Sequence, residues 1–154
     1  MSTTSKSPKT PQEIQDRLVR EFQVLEDWTQ RYKYIIELGR KMEPLDESEK
    51  DEENLVRGCQ SQVWLVSELE DDKVSFRADS DAAIVKGLAA LLVRLYSGQT
   101  PQEILTTKPE FLERIGMKDH LSPTRSNGLA AMVEQIKIYA MAYKTKLEQG
   151  AEKQ

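Results

Sequence analysis

Cys59 is the residue of this chain most suited to carry out chemistry, and it is the only cysteine among 154 residues. It stands in the run Gly58-Cys59-Gln60-Ser61, directly before a strand-like segment. A thiolate at such a turn can serve as a nucleophile or as a carrier. An inert cysteine fits the same residues, since free cysteine is among the most buried residue types. The run by itself leaves both interpretations open.

A single cysteine excludes several kinds of site within one chain. It rules out an intramolecular disulfide and a Cys-x-x-Cys redox pair. A cysteine-rich zinc site or an iron–sulfur cluster bound by this chain alone is excluded for the same reason. His120 is the only histidine, so a histidine-rich metal centre is also unexpected. We therefore expect the chain to bind no metal and no cofactor of its own.

The only histidine and the only cysteine could together form a hydrolase dyad. Nucleophilic catalysis by Cys59 would require a base such as His120 within hydrogen-bond reach. However, Cys59 precedes a strand and does not open a helix, so no helix N-terminus next to it in sequence lowers its pKa. His120 stands beside a helix start, where a structural histidine is the commoner outcome. A Cys59/His120 hydrolase is retained as an alternative.

Two further sites carry charges that could serve a function. Asp79-Ser80-Asp81 precedes a predicted helix, and plain capping is favoured over anion binding because two carboxylates already occupy this helix start. Asp81 could also hold the neighbouring loop by a hydrogen bond and so connect to Cys59. Arg125 lies in the first turn of the last predicted helix, where a cation opposes the macrodipole. It either pairs with a carboxylate, faces a partner, or is simply exposed.

Helix-start patterns and apolar periodicity predict the helices. The pattern Thr-Pro-Gln-Glu begins at Thr10 and again at Thr100, and it combines a threonine cap, an early proline and a capping box. Gly87 interrupts the most apolar helix at a cost of about 1 kcal/mol, which indicates close packing against another element. Helices are predicted to start at Pro11, Pro101 and Pro123 and to cover 82–96 and 110–115. A further helix follows the cap Asp27, and Gly39 with Arg40 and Lys41 marks its end.

Three strands are predicted between the second and third helices. Residues 54–57 form a short first strand, residues 62–69 are rich in β-branched and aromatic types, and residues 74–78 alternate apolar and polar. The acidic segment 42–53 between helix and strands is expected to be a solvated loop. Helices before and after this meander predict an α+β fold, with a small antiparallel three-stranded sheet packed with helices.

Composition bounds the domain count and the class of partner. The length suits one domain, expected over residues 11–147, with a disordered tail over 1–10 and a frayed tail over 148–154. A net charge of −4 argues against a general nucleic-acid binder, which would normally carry a basic face. The longest apolar run, 82–96, is too short to span a membrane and contains charges. We expect a cytoplasmic protein.

Five motifs follow one another along the chain: Tyr34–Arg40 (YIIELGR), Gly58–Trp64 (GCQSQVW), Ala78–Gly87 (ADSDAAIVKG), His120–Arg125 (HLSPTR) and Asn127–Leu129 (NGL). Together they resemble the SufE family of sulfur-acceptor proteins. The resemblance covers most of the chain, from about residue 28 to residue 132, and its motifs are too long and too well ordered for a chance match.

The resemblance implies a carrier of sulfur. SufE proteins work with a cysteine desulfurase, either SufS-like or CsdA-like, that uses pyridoxal phosphate to take sulfur from L-cysteine and hold it as a persulfide. The SufE-like protein receives this sulfur on its acceptor thiol, here Cys59, and thereby stimulates the desulfurase. It then passes the sulfur to a SufBCD-type iron–sulfur scaffold complex. The implied fold is the SufE/NifU-like sandwich. The motifs do not separate SufE from its paralogue CsdE.

The residues themselves agree with that implication. Transfer of sulfur between two cysteines needs one reactive thiol on each protein, and a second thiol nearby would convert the persulfide to a disulfide. We expect a resting Cys59 that is partly buried, with Gly58 as the hinge that turns the loop outward. Gln60, Asp81, His120 and Arg125 are the candidates for supporting the loop or contacting the partner. An interaction module with an inert cysteine is the remaining alternative.

Overall fold

Two helices begin at the same four residue types, as their sequence predicts. In the computed structural model, which describes residues 10–153, the Thr10 hydroxyl accepts a hydrogen bond from the N–H of Glu13. The Glu13 carboxylate in turn accepts one from the N–H of Thr10. Thr100 and Glu103 form the same capping box. Each box satisfies N–H groups that a helix start otherwise leaves unpaired, and both predicted helix starts are confirmed.

Six α-helices and two strands form the regular structure of residues 10–153, together with short 3₁₀ turns at Glu47–Glu49 and Met117–His120. Within that range no helix is both long and apolar enough to cross a membrane. The last helix continues to Lys153, into the tail that was expected to fray, and residues 1–9 of the expected N-terminal tail lie outside the described residues. The elements are α1 (Pro11–Gln23), α2 (Trp28–Lys41), β1 (Val63–Glu70), β2 (Lys73–Ser80), α3 (Ala83–Tyr96), α4 (Pro101–Thr106), α5 (Phe111–Arg114) and α6 (Pro123–Lys153).

The sheet has two antiparallel strands within the described residues, so the prediction of three strands is wrong, while the α+β class stands. The segment 54–57 follows β1 only through an isolated bridge, with the N–H of Val56 donating to the carbonyl of Val63 at 2.8 Å. Below the bridge, the N–H of Asn54 turns back to the Asp51 carboxylate. Above it, Gly58 adopts a positive φ. Pairing therefore stops after one bridge.

The predicted central helix, α3, is buried between the sheet and the other helices. Gly87 in α3 meets Gly39 in α2, where a Cβ added to Gly39 would lie 2.8 Å from the N atom of Gly87. A Cβ added to Gly87 would overlap the carbonyl group of Ile35. The close packing predicted for Gly87 is confirmed. The helix end predicted at Gly39, Arg40 and Lys41 agrees with α2, which ends at Lys41 with Gly39 inside its last turn at the crossing.

Asp79 is a buried carboxylate in β2, with 3% of its surface exposed. It accepts hydrogen bonds from the N–H groups of Leu45 and Ser80 and lies 3.2 Å from the Lys86 ammonium. Burial alone would raise the pKa of Asp79. The backbone donors and Lys86 outweigh that effect, and the pKa is lowered from its ordinary value. Asp79 therefore remains charged inside the fold.

The acidic segment 42–53 is anchored to β2 by Leu45, Glu49 and Lys50. The Glu49 carboxylate accepts a hydrogen bond from the Arg77 guanidinium of β2 at 3.0 Å. Leu45 is buried with 5% exposure and, as described, donates its N–H to Asp79. Lys50 places its ammonium 3.4 Å from Oδ2 of the same carboxylate, the atom that accepts from Leu45. Most of the acidic side chains in this segment are exposed, as expected for a solvated loop. One side of the segment is thus exposed to solvent, and the other side is bound to β2.

Candidate functional site

The loop that carries Cys59 lies against the N-terminal part of α6. Gly58 has a φ of 94°, in the left-handed region that L side chains rarely adopt. A Cβ added to Gly58 would lie 3.3 Å from the Cβ of Ala131 in α6. The glycine therefore satisfies two requirements, the turn of the backbone and the close approach to the helix. Its presence before Cys59 decides how near the thiol comes to α6.

The side chain of Cys59 is half-buried, in agreement with the partial burial expected for it. Its Sγ donates a hydrogen bond to the carbonyl of Gly128 at 3.5 Å. Burial raises the pKa of the Cys59 thiol above its ordinary value. The resting thiol is therefore protonated at neutral pH, which suits the donor role it has here and lowers its reactivity.

A small cleft of about 20 Å³ adjoins the thiol between the loop, α3 and α6. Val85 and Leu88 of α3 form one side, and Leu129 and Met132 of α6 form the other. The walls are thus apolar, whereas the rim is polar. Its polar lining comes from Gln60, Ser61, Thr124 and Arg125.

Asp81 connects the end of the sheet to the Cys59 loop. Its carboxylate accepts a hydrogen bond from the N–H of Gln62 at 3.1 Å, and the Ser80 hydroxyl donates to the carbonyl of Gln62 at 2.8 Å. The predicted capping role of residues 79–81 is wrong, since Asp79 and Ser80 end β2 and the helix cap, Ala82, makes no side-chain capping bond. The residue types of a helix cap also suit a strand that ends in a turn.

His120 lies away from the thiol's hydrogen-bond partners. Its imidazole stacks on the Trp28 ring, with centroids 4.0 Å apart, and its carbonyl accepts a hydrogen bond from the Tyr32 hydroxyl. Within residues 10–153, the contacts of Cys59 and His120 do not include each other. The geometry thus offers no support for the hydrolase dyad. His120 is exposed, so its ring can still be reached from solvent.

Arg125 and Gln60 are exposed side chains at the rim of the cleft. The N–H of Arg125 donates to the Ser122 hydroxyl, which caps the start of α6. Among the described residues, the Arg125 guanidinium has no carboxylate within ion-pair distance. Of the outcomes considered for Arg125, pairing with a carboxylate is therefore not observed. Both side chains are placed where a partner that reached Cys59 would meet them.

Gly128 is a residue of the site that was not singled out from the sequence, although it lies within one of the motifs. A Cβ added to it would lie 3.5 Å from the Sγ and 3.9 Å from the Cβ of Cys59. The available signal was a glycine inside a helix, which costs about 1 kcal/mol relative to alanine. The same signal correctly indicated close packing at Gly87. It could have been applied to Gly128 as well.

The fold and the site together define a small α+β protein with one sheltered thiol on a loop. Among residues 10–153 no group of three or more histidine, cysteine, aspartate or glutamate side chains is arranged to hold a metal ion. The thiol of Cys59 lies at a cleft whose buried lining is apolar and whose exposed lining is polar.

The chain belongs to the SufE family. The family model described as "SufE: Fe-S metabolism associated domain" matches residues 16–140, which confirms the resemblance and associates the protein with iron–sulfur metabolism. A solved structure, described as the solution structure of a hypothetical protein from Thermus thermophilus, is similar with a TM-score of 0.71. It is 23% identical, and the match covers 86% of this chain and 96% of that one. At this identity the similarity shows the fold alone.

Proposed function

We propose that this protein accepts a sulfur atom on Cys59 from a cysteine desulfurase and delivers it for iron–sulfur cluster assembly. The observation that carries the proposal is a lone, sheltered thiol on a loop, in a chain of a family associated with iron–sulfur metabolism. The donor is a SufS-like or CsdA-like desulfurase, and a SufBCD-type scaffold complex is the receiver. By removing sulfur, the protein also stimulates the desulfurase. It is an accessory protein of that enzyme.

The transfer step needs no cofactor on this chain. The Cys59 thiolate attacks the outer sulfur of the desulfurase persulfide, and a new sulfur–sulfur bond forms at Cys59. The old sulfur–sulfur bond breaks, its electron pair leaves with the desulfurase cysteine as a thiolate, and the proton of the Cys59 thiol passes to solvent. No net oxidation occurs. Pyridoxal phosphate belongs to the desulfurase, where it releases sulfur from L-cysteine.

The half-burial of the resting thiol, which raises its pKa, favours a change of its surroundings when the desulfurase docks. A buried thiol is a poor nucleophile because little of it is ionised, so the loop turns outward when the desulfurase is bound. Gly58 is the hinge of this movement, and the bond from Gln62 to Asp81 holds the loop from its other end. Gln60, Arg125 and His120 contact the partner from their exposed positions. The single thiol is suited to the reducing cytoplasm, where we place this activity.

Intact-mass measurement tests the proposal directly. The protein is incubated with a pyridoxal-phosphate cysteine desulfurase and L-cysteine, and its mass is measured before and after a reductant is added. We expect a gain of one sulfur atom that the reductant removes and that is absent in Cys59→Ser, the matched variant.

Three other outcomes would contradict the proposal. A gain of sulfur that persists in Cys59→Ser would place the acceptor elsewhere. Desulfurase stimulation that is unchanged in Cys59→Ala would favour an interaction module with an inert cysteine. Turnover of a thioester without any desulfurase, lost in both Cys59→Ala and His120→Ala, would favour the hydrolase.

A further inference from the structure

We infer that Gly128 is a positioning residue that reserves the space in which the outer sulfur of a Cys59 persulfide is sheltered. The inference rests on the proposed function and specifies how the loaded form is protected. It concerns the difference between the thiol and the persulfide, which is a single sulfur atom. A site that holds both forms must therefore have room for one atom beyond Sγ.

There is space for this extra atom between the Cys59 thiol and α6. A Cβ at Gly128 would lie 3.5 Å from Sγ, which is an ordinary van der Waals contact. The thiol alone therefore fits beside an alanine at this position. The absence of a side chain is not needed to seat the thiol, and yet α6 carries a glycine here, in a helix interior where it costs about 1 kcal/mol relative to alanine.

The volume of the adjoining cleft matches the added atom. The cleft measures about 20 Å³ and is lined by both Cys59 and Gly128. A space of this size holds roughly one water-sized group. The outer sulfur of a persulfide lies about 2.05 Å from Sγ, within reach of this cleft. A methyl group on residue 128 would point from α6 toward Sγ and take up part of that space.

The walls of the cleft explain why occupation would protect the sulfur. The buried part of its lining is apolar (Val85, Leu88, Leu129 and Met132), whereas Gln60, Thr124 and Arg125 line it from exposed positions. A terminal sulfur in the cleft would therefore contact apolar side chains on its buried side. Exchange with a thiol requires access of the attacking thiolate to the sulfur–sulfur bond. A charged thiolate does not readily enter an apolar space of this size. Gly128 thus sets whether the outer sulfur is inside the cleft or exposed to reductants.

The experiment compares wild type with Gly128→Ala and with Gly150→Ala, a control in the same helix whose glycine has no atom within 4 Å of an added Cβ. The persulfide is made chemically, so that no desulfurase is needed: a mixed disulfide of Cys59 with a pyridinethiol is treated with hydrosulfide, which displaces the pyridinethiolate and leaves the persulfide. Dithiothreitol then releases the outer sulfur as hydrogen sulfide, regenerates the Cys59 thiol and is itself oxidised to a disulfide. The rate of this release is followed by intact mass.

We expect the persulfide of Gly128→Ala to be reduced about tenfold faster than that of wild type or Gly150→Ala, because its outer sulfur is accessible. Alkylation of the unloaded thiol by iodoacetamide should change less than about twofold, because the thiol still fits. Equal rates of persulfide reduction in the three proteins would overturn the inference. Equal acceleration of alkylation and reduction would also overturn it, since Gly128 would then only seat the whole side chain.

A second measurement keeps the test decisive if Gly128→Ala does not fold. The wild-type persulfide should be reduced about tenfold faster in denaturant than in the folded protein, because only the folded chain has the cleft. Equal rates in both conditions would contradict the sheltering. The proposed function fails separately, if the desulfurase does not load wild type while the chemically made persulfide behaves as expected.

Discussion

Two places where a glycine brings backbone segments together differ in how tightly they are closed. At the crossing of α2 and α3, Gly39 and Gly87 leave no space, because a Cβ at either position would come within 3.0 Å of the other helix's backbone. At the Cys59 loop, a Cβ at Gly58 or Gly128 would meet side-chain atoms at 3.3 and 3.5 Å. The first contact joins two backbones, whereas the second rests on side chains.

The difference indicates which part of the molecule can move during function. Two helices in backbone contact separate only if the core opens, since a packed interior does not deform gradually. The loop is held by weaker contacts. The Cys59 thiol donates a hydrogen bond to the Gly128 carbonyl, and Gln62 is hydrogen-bonded to Asp81 and Ser80. The crossing provides a fixed frame on which the loop can be released. Three substitutions would break or sharpen this contrast.

Gly87→Ala should have the largest effect on stability. The new methyl group would overlap the carbonyl of Ile35, and backbone atoms on both sides of the crossing would have to shift. We expect the free energy of unfolding to fall by about 3 kcal/mol or more, despite the better helix propensity of alanine. Denaturant titration measures this, with Gly150→Ala as the matched control. A loss below that of Gly128→Ala would reverse the contrast.

Asp79→Asn tests how much the charge of this buried carboxylate contributes to the stability of the rigid part of the fold. Leu45 and Lys86 contact different oxygens of the Asp79 carboxylate, and the amide keeps only one acceptor oxygen. Its NH2 group would therefore face one of these two donors, the charge that Lys86 pairs with would be lost, and we expect a loss of about 2 kcal/mol at neutral pH. The folded pKa of Asp79 lies below its ordinary value of 3.8, so its stabilising contribution is complete above that pH and disappears as the pH falls through the folded pKa.

The difference between wild type and Asp79→Asn should therefore be greatest near neutrality and should shrink below about pH 4. Denaturant titrations at several pH values measure it, and Asp72→Asn, at an exposed turn, serves as the control. A difference that is independent of pH would show that the charge of Asp79 does not stabilise the fold.

Gly58→Ala should have the smallest effect on stability and a clearer effect on the thiol. An alanine in the left-handed region costs about 1 kcal/mol, and its Cβ would press on Ala131. If the loop is releasable, this strain moves the loop off α6. Cys59 should then be alkylated about fivefold faster, because 1 kcal/mol changes the equilibrium between the docked and released loop by about that factor. Adding Ala131→Gly separates the contact from the backbone strain. Unchanged alkylation with a large loss of stability would mean that the loop is as fixed as the crossing.

Features encoded within a few residues were predicted well from the sequence. The threonine and glutamate pairs at Thr10 and Thr100 satisfy their own helix starts, so no distant partner is needed to recognise them. The two paired strands and the central helix also follow from local patterns. The strand predicted over 54–57 fails because its pairing depends on turns on either side, which shorten it to one bridge.

Of the features that depend on distant residues, the close packing at Gly87 was predicted, whereas most others were not. Asp79 has the residue type of a helix cap, and only its contacts with Leu45 and Lys50 show that it is a buried anchor in a strand. The position of His120 follows from a stack on Trp28, far away in sequence. Gly128 was within a recognised motif, but its role requires knowing that Cys59 lies opposite. Cys59 itself was singled out as the candidate site because it is the only cysteine of the chain, and its role stays a prediction.

The bond between Cys59 and Gly128 joins residues that are 69 positions apart in the sequence. Contacts of such long range form after local helices and turns, because closing a long loop costs chain entropy. The shelter of the thiol is therefore complete only when α6 has docked on the rest of the chain. A chain that has not finished folding has an exposed thiol, and any sulfur placed on it would be lost to cellular reductants. On the proposed function, retention of sulfur on Cys59 would therefore report that folding is complete.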